Sequence, residues 1–134
     1  MRASTHRLPP LTARPQVVVD FSVDDGLLFV TLRNAGGESA YKVTVRFDHA
    51  FRGLGGRKDL SVLRLFRRLD FLPPGKIYTQ LVDPLPHYAA RGEPLRIAAT
   101  ATYADRDGNR YDDVMRHDLR VYLELGEIVR PRTS

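Results

Sequence analysis

A chain of 134 residues with 43% hydrophobic and 28% charged residues is long enough for one packed core and too apolar to be mainly disordered. It has no apolar run of about 18 residues, which excludes a spanning helix, and no cysteine, which excludes a disulfide framework, a thiol nucleophile and a cysteine-ligated zinc. The net charge of +5 is regional: residues 51–76 hold seven Lys/Arg against Asp59 and Asp70, so a case for an anionic partner has to rest on a patch.

Residues 1–14 (MRASTHRLPPLTAR) carry arginines and no acid but lack the apolar centre of a secretory signal, and Pro9 and Pro10 interrupt any amphipathic targeting helix. They are expected to form a flexible basic tail before a single domain over 15–125, with 126–134 as a second tail. Period-two alternation then dominates. Val17, Val19, Phe21 and Val23 share one strand face; Asp24-Asp25-Gly26 predicts a hairpin turn, and Leu27–Arg33 is the return strand. After the breaker Asn34-Ala35-Gly36-Gly37, the residues Tyr41, Val43, Val45 and Phe47 alternate with Lys42, Thr44, Arg46 and Asp48, which predicts a half-buried strand.

Residues 48–58 read as a glycine-rich mobile loop. The next stretch, DLSVLRLFRRLDFL, fits both a helical and a strand period; a helical turn near Asp59–Leu65 with Asp59 as its N-cap, then a strand near Phe66–Leu72, is expected. Pro73-Pro74-Gly75 ends it. A strand follows at about Ile77–Val82, and a loop is predicted from Asp83 to Pro94. Leu95, Ile97, Ala99, Ala101 and Tyr103 form the apolar half of a long strand, expected to face the same core as Tyr41, Val43, Val45 and Phe47. Beyond an acidic turn, a final strand is expected to run from Tyr111 through Leu119, Val121, Leu123 and Leu125. Seven to eight short strands make an all-β, antiparallel two-sheet sandwich, with at most a short helical turn near 59–65.

The runs VTLRNAGGESAYKVTVRF, LDFLPPGK and TATYADRDGNRY resemble the bacterial immunoglobulin-like sandwiches typified by the cell-adhesion-related domain found in bacteria. The likeness is carried by Asn34, Gly36, Ala40, Leu72, Pro74, Gly75, Tyr103, Asp105 and Gly108. It implies an immunoglobulin-like scaffold over about residues 15–125 that usually recurs in tandem on secreted or membrane-anchored proteins and has no shared catalytic residues.

No catalytic constellation emerges. ATYADRDGNRYDD places four aspartates around Gly108, but in a calcium-loop register Tyr103 and Val114 occupy the two end positions where carboxylates are needed, so it reads as a hairpin. Gly53-Leu54-Gly55-Gly56-Arg57-Lys58 lacks both the third glycine of a dinucleotide loop and the spacing of a phosphate loop. His6, His49, His87 and His117 are scattered without metal-ligand spacing, and no serine stands in Gly-x-Ser-x-Gly. No cofactor or metal is expected.

The one constellation to examine is Arg57, Lys58, Arg64, Arg67 and Arg68, interleaved with Leu65, Phe66, Leu69 and Phe71. Either the apolar residues anchor a sandwich and the arginines point to water, or the segment is a basic surface for an anion or a protein partner. The expectation is a non-catalytic immunoglobulin-like binding or structural module making protein–protein contacts, with no membrane insertion. The alternative is an accessory binder of nucleic acid or another polyanion through 51–76. Sequence does not determine partner identity or oligomeric state, and both a cytoplasmic protein and a soluble part of a larger parent are compatible with it.

Overall fold

The alternating runs become strands because each can bury one face and leave the other in water. The computed structural model describes residues 14–125. In chain order it has β1 (Val17–Asp24), β2 (Leu27–Asn34), β3 (Ala40–Phe47), β4 (Arg52–Gly53), β5 (Lys58–Asp59), a 3-10 turn (Leu60–Val62), α1 (Arg64–Arg67) and β6 (Leu69–Leu72). Then come β7 (Ile77–Pro84), α2 (Leu85–Ala90), β8 (Arg96–Ala104), β9 (Arg110–Asp118) and α3 (Arg120–Leu125). Two antiparallel sheets face each other, one ordered β1-β2-β7 and the other β6-β3-β8-β9, while β4 and β5 form a separate small ribbon. The all-β sandwich expected from the alternation is the observed fold.

One core lies between the sheets. Val17, Val19, Phe21, Leu28, Val30, Leu32 and Val82 come from the first sheet, and Ala40, Val43, Val45, Leu72, Ile97, Ala99, Ala101 and Tyr103 from the second. One end is filled by aromatic rings: Phe47 meets Phe51 and Phe66 edge to face, each at 5.0 Å, and Phe21 meets Phe51 at 5.4 Å. Such pairs add roughly 0.5–1.5 kcal/mol each beyond their buried area.

The expected strand at 66–72 starts late for this reason. Asp59 does cap the 3-10 turn, accepting from the Ser61 amide, but the chain then makes a helical turn in which Phe66 N–H donates to the Leu63 carbonyl at 2.9 Å. That turn drives Phe66 into the aromatic cluster, and pairing with β3 begins only at Leu69.

Other local expectations are corrected. Lys42 has φ 54°, and the β3–β8 register shifts between Tyr41 and Thr44, so a bulge interrupts the alternation. Val43, Val45 and Phe47 face inward as expected, but Tyr41 leaves the core and packs on Phe71 of β6 at 5.5 Å, while Ala40 takes the inward place. The predicted loop from Asp83 contains α2. Pro84 sits at its N-cap and Pro86 in its first turn, where a missing N–H costs nothing, and Leu85 and Tyr88 bury one side of it.

The final strand ends at Asp118. Leu119, just before α3, and Tyr122 within it turn back onto the core, and the apparent alternation of Val121, Leu123 and Leu125 leaves all three exposed. The predicted tails lie outside the described residues except Arg14, which lies over the Tyr111 ring at 5.4 Å. No helix among the described residues is long and apolar enough to cross a membrane.

Candidate interaction surface

The two outer edges of the first sheet are treated oppositely. At β1, three main-chain groups that point away from β2, both of Val19 and the carbonyl of Phe21, are taken by side chains of the facing sheet and α3. Val19 N–H donates to Met115 Sδ at 3.3 Å, the Val19 carbonyl meets His117 Nε2 at 2.9 Å, and the Phe21 carbonyl accepts from the Tyr122 hydroxyl at 2.8 Å. The middle of this edge is closed, with the His117 ring further packed edge-on against Phe21 at 5.2 Å.

The same alternation fixes the other edge. If Val19 and Phe21 point away from β2, then Leu28, Val30, Leu32 and Asn34 point toward β7. The bond from Asn34 N–H to the Lys76 carbonyl at 3.2 Å agrees with that parity. Tyr78 and Gln80 are therefore the bonded partners of Leu32 and Val30, and the main-chain groups of Ile77, Thr79 and Leu81 point outward. Among the described residues they meet only the Gln80 side chain, which donates to the Leu81 carbonyl at 2.8 Å. Ile77 is 55% exposed and Leu81 37%. From Ile77 to Val82 the strand carries no charge, whereas solvent-facing edges are commonly protected by lysine, proline or a bulge.

The basic segment is less unified than its sequence suggests. Arg57, Lys58, Arg64, Arg67 and Arg68 are all exposed. Arg57 is occupied in its own loop, donating from Nε to the Leu54 carbonyl at 3.0 Å, and Arg68 sits 3.6 Å from Asp70 in an ion pair too exposed to contribute much. Arg64 and Arg67, three apart on α1, share one side of a single turn. The interleaved apolar residues divide: Phe66 is buried, Leu65 and Leu69 pack against the core, and Phe71 is 48% exposed beside Tyr41.

The glycine-rich segment is a braced hairpin rather than an unanchored loop. Asp83, only 7% exposed at its side chain, accepts from the Gly55 amide at 3.2 Å and pairs with Arg91 Nη1 at 2.5 Å. Arg91 also donates to the Arg52 carbonyl at 2.9 Å, and Glu93 accepts from the Arg52 amide at 2.9 Å. A Cβ at Gly53 would lie 2.5 Å from the Val82 carbonyl oxygen, so the ribbon can rest on β7 only with glycine there.

The acidic stretch is a hairpin whose carboxylates are dispersed. Asp105 accepts from the amides of Asp107 and Asn109, the Asn109 side chain and the Tyr111 hydroxyl, all at 2.9–3.0 Å. The side-chain bond from Asn109 is the largest influence holding its carboxyl below the usual range. Asp113 instead accepts from Tyr103 at 2.5 Å; burial, reinforced by that bond, pushes the Tyr103 phenol up.

His49 and His117, distant in sequence, line one groove of about 310 Å³ with Arg96, Arg116, Asp48 and Asp118. Both carboxylates there are engaged, Asp48 by the Ala98 amide at 2.9 Å and Asp118 by Arg120 at 2.7 and 2.8 Å. Among the described residues no hydroxyl bonds to either histidine, and no three His, Asp or Glu side chains are grouped to hold a metal ion.

Sequence reasoning found the β7 strand but not its status, because an edge strand and a central strand share one alternation. The missing charge between Lys76 and Asp83 was its only signal. No curated protein and no solved structure matches the chain. A family model does match, over residues 1–123, and the chain belongs to that family, described as Domain of unknown function (DUF8453).

Proposed function

We propose that the chain is a non-catalytic, immunoglobulin-like module that makes protein–protein contacts by offering β7 as a strand for another polypeptide to extend. The observation that carries this is the contrast between the middle of the β1 edge, where both Val19 groups and the Phe21 carbonyl are taken by side chains, and the outward main-chain groups of Ile77, Thr79 and Leu81. Strand addition uses such groups for affinity and the alternate side chains for specificity. The immunoglobulin-like part of the proposal is supported by the order β1-β2-β7 against β6-β3-β8-β9, which corresponds to strands A, B and E facing C′, C, F and G.

Selection of displayed peptides on the immobilised chain tests the proposal. Ligands in extended conformation should lose binding in Thr79→Pro, which removes an outward N–H without breaking a bond within the sheet, and keep it when Arg64, Arg67 and Arg68 are changed together to Glu. The opposite dependence, with affinity falling steeply as salt rises, would move the contact to the basic segment and favour a polyanion or acidic partner.

A further inference from the structure

The pattern at the open edge is symmetric about one residue. Ile77, Thr79 and Leu81 carry the outward groups, and their spacing of two is the same read in either direction. An antiparallel strand of the same sequence, centred on Thr79, places Ile77 opposite Leu81 of the second copy and Thr79 opposite itself. Each opposed pair exchanges its N–H and C=O groups, for about six main-chain bonds, with displacement of the Gln80 contact to Leu81. The same register sets exposed Ile77 against exposed Leu81 twice on one face, an apolar cross-strand pair. No charge between Ile77 and Val82 opposes the pairing.

We infer that the polypeptide added to β7 is β7 of a second copy, giving a two-fold dimer in which the two three-stranded sheets join into one. This rests on the open-edge proposal above and goes beyond it by naming the partner. The contact is isologous, as closed dimers require, and main-chain pairing explains how an edge without charge is tolerated: it is covered.

Sedimentation equilibrium of the full chain over a rising concentration series, with hydrogen exchange at matching concentrations, tests the inference. The expected result is a shift from 15.2 kDa toward twice that mass, accompanied by slowed exchange at the amides of Ile77, Thr79 and Leu81. Thr79→Lys and Thr79→Glu each place like charges across the axis and should weaken the dimer roughly tenfold, while an equimolar mixture restores it. Because Thr79 is exposed, both variants should keep the wild-type melting temperature.

A dimer indifferent to the charge at 79 uses another face and overturns the inference. A chain that stays monomeric to millimolar concentration, with those amides exchanging fast, overturns the second copy and leaves the open edge standing. Amides protected even in the dilute monomer mean that the edge is covered from within the chain, which overturns both proposals.

Discussion

The side-chain amide of Asn34 donates to the carbonyl of Leu72 at 3.0 Å, joining the end of β2 to the end of β6 across the sandwich. Its other bonds complete the inventory: Nδ2 also donates to the Glu38 carbonyl at 2.7 Å, and Oδ1 accepts from the amides of Gln16 and Gly36 at 3.1 and 2.9 Å. Asn34 is 1% exposed, so every group of this amide has a protein partner where water is scarce. Asn34→Asp keeps the shape but replaces the two N–H donors with a carboxylate oxygen, an acceptor set against the Leu72 and Glu38 carbonyls, which lose their partners. It should cost roughly 2–4 kcal/mol in urea unfolding, and Asn34→Ala a similar amount. A loss under about 1 kcal/mol for either would mean that this junction does not hold the sheets together.

The bulge at Lys42 makes a register prediction that plain alternation does not. Val43→Asp and Val45→Asp each bury an unpaired carboxylate and should unfold the domain, while Thr44→Asp should cost little. Tyr41→Asp, on the same parity as Val43 in the sequence, should cost only about 1 kcal/mol because the side chain stands outside the core. Lys42→Gly, which relieves a left-handed φ, should be neutral or stabilising. Denaturant midpoints for these five variants decide the point; equal damage at 41 and 43 would return Tyr41 to the core.

Removing Asp83 should release the β4–β5 ribbon before the rest of the molecule. Asp83→Ala takes the acceptor from the Gly55 amide and the closest carboxylate from Arg91, which keeps its bond to the Arg52 carbonyl. Arg91 is 26% exposed at its side chain and can reach water, so the cost should be about 2–3 kcal/mol, below that of a fully buried pair. Faster hydrogen exchange and proteolysis confined to 52–59 is the expected signature. Uniform loosening of both sheets would show that the ribbon is integral to the core.

Asp118 gives a pH prediction. The side-chain bonds from Arg120 are the main cause of a carboxyl held at about 2, against an ordinary value of 3.8. A carboxyl lowered on folding adds stability above its unfolded value, and that contribution is lost as pH falls from 3.8 through about 2. An NMR titration should place the Asp118 midpoint near 2, returning to the ordinary range in Arg120→Ala. No change on removal of Arg120 would assign the shift to another cause.

Much of this molecule was legible because burial on one face of a strand writes itself as alternation. Val17 to Phe21, Leu28 to Leu32 and Ile97 to Tyr103 all point inward as their spacing predicts, and Asp25-Gly26 makes the expected turn with φ 54° and 76°. The sequence also showed Asn34-x-Gly36 as a motif without its reason. In the fold, a Cβ at Gly36 would lie 2.1 Å from the Arg14 carbonyl oxygen, and Asn34 fills a polar junction between three segments.

What only the tertiary structure decided was everything that depends on a neighbour distant in the chain. A left-handed Lys42 has no local signature, so the flip of Tyr41 was invisible. Alternation at Leu119–Leu125 could not be told from a helix until Leu119 and Tyr122 were seen to reach back to the core. The status of β7 has the same origin. Whether the outward groups of Ile77, Thr79 and Leu81 meet another strand is a property of the sheet order, and sheet order is set by the packing of all the strands together, not by the residues of one.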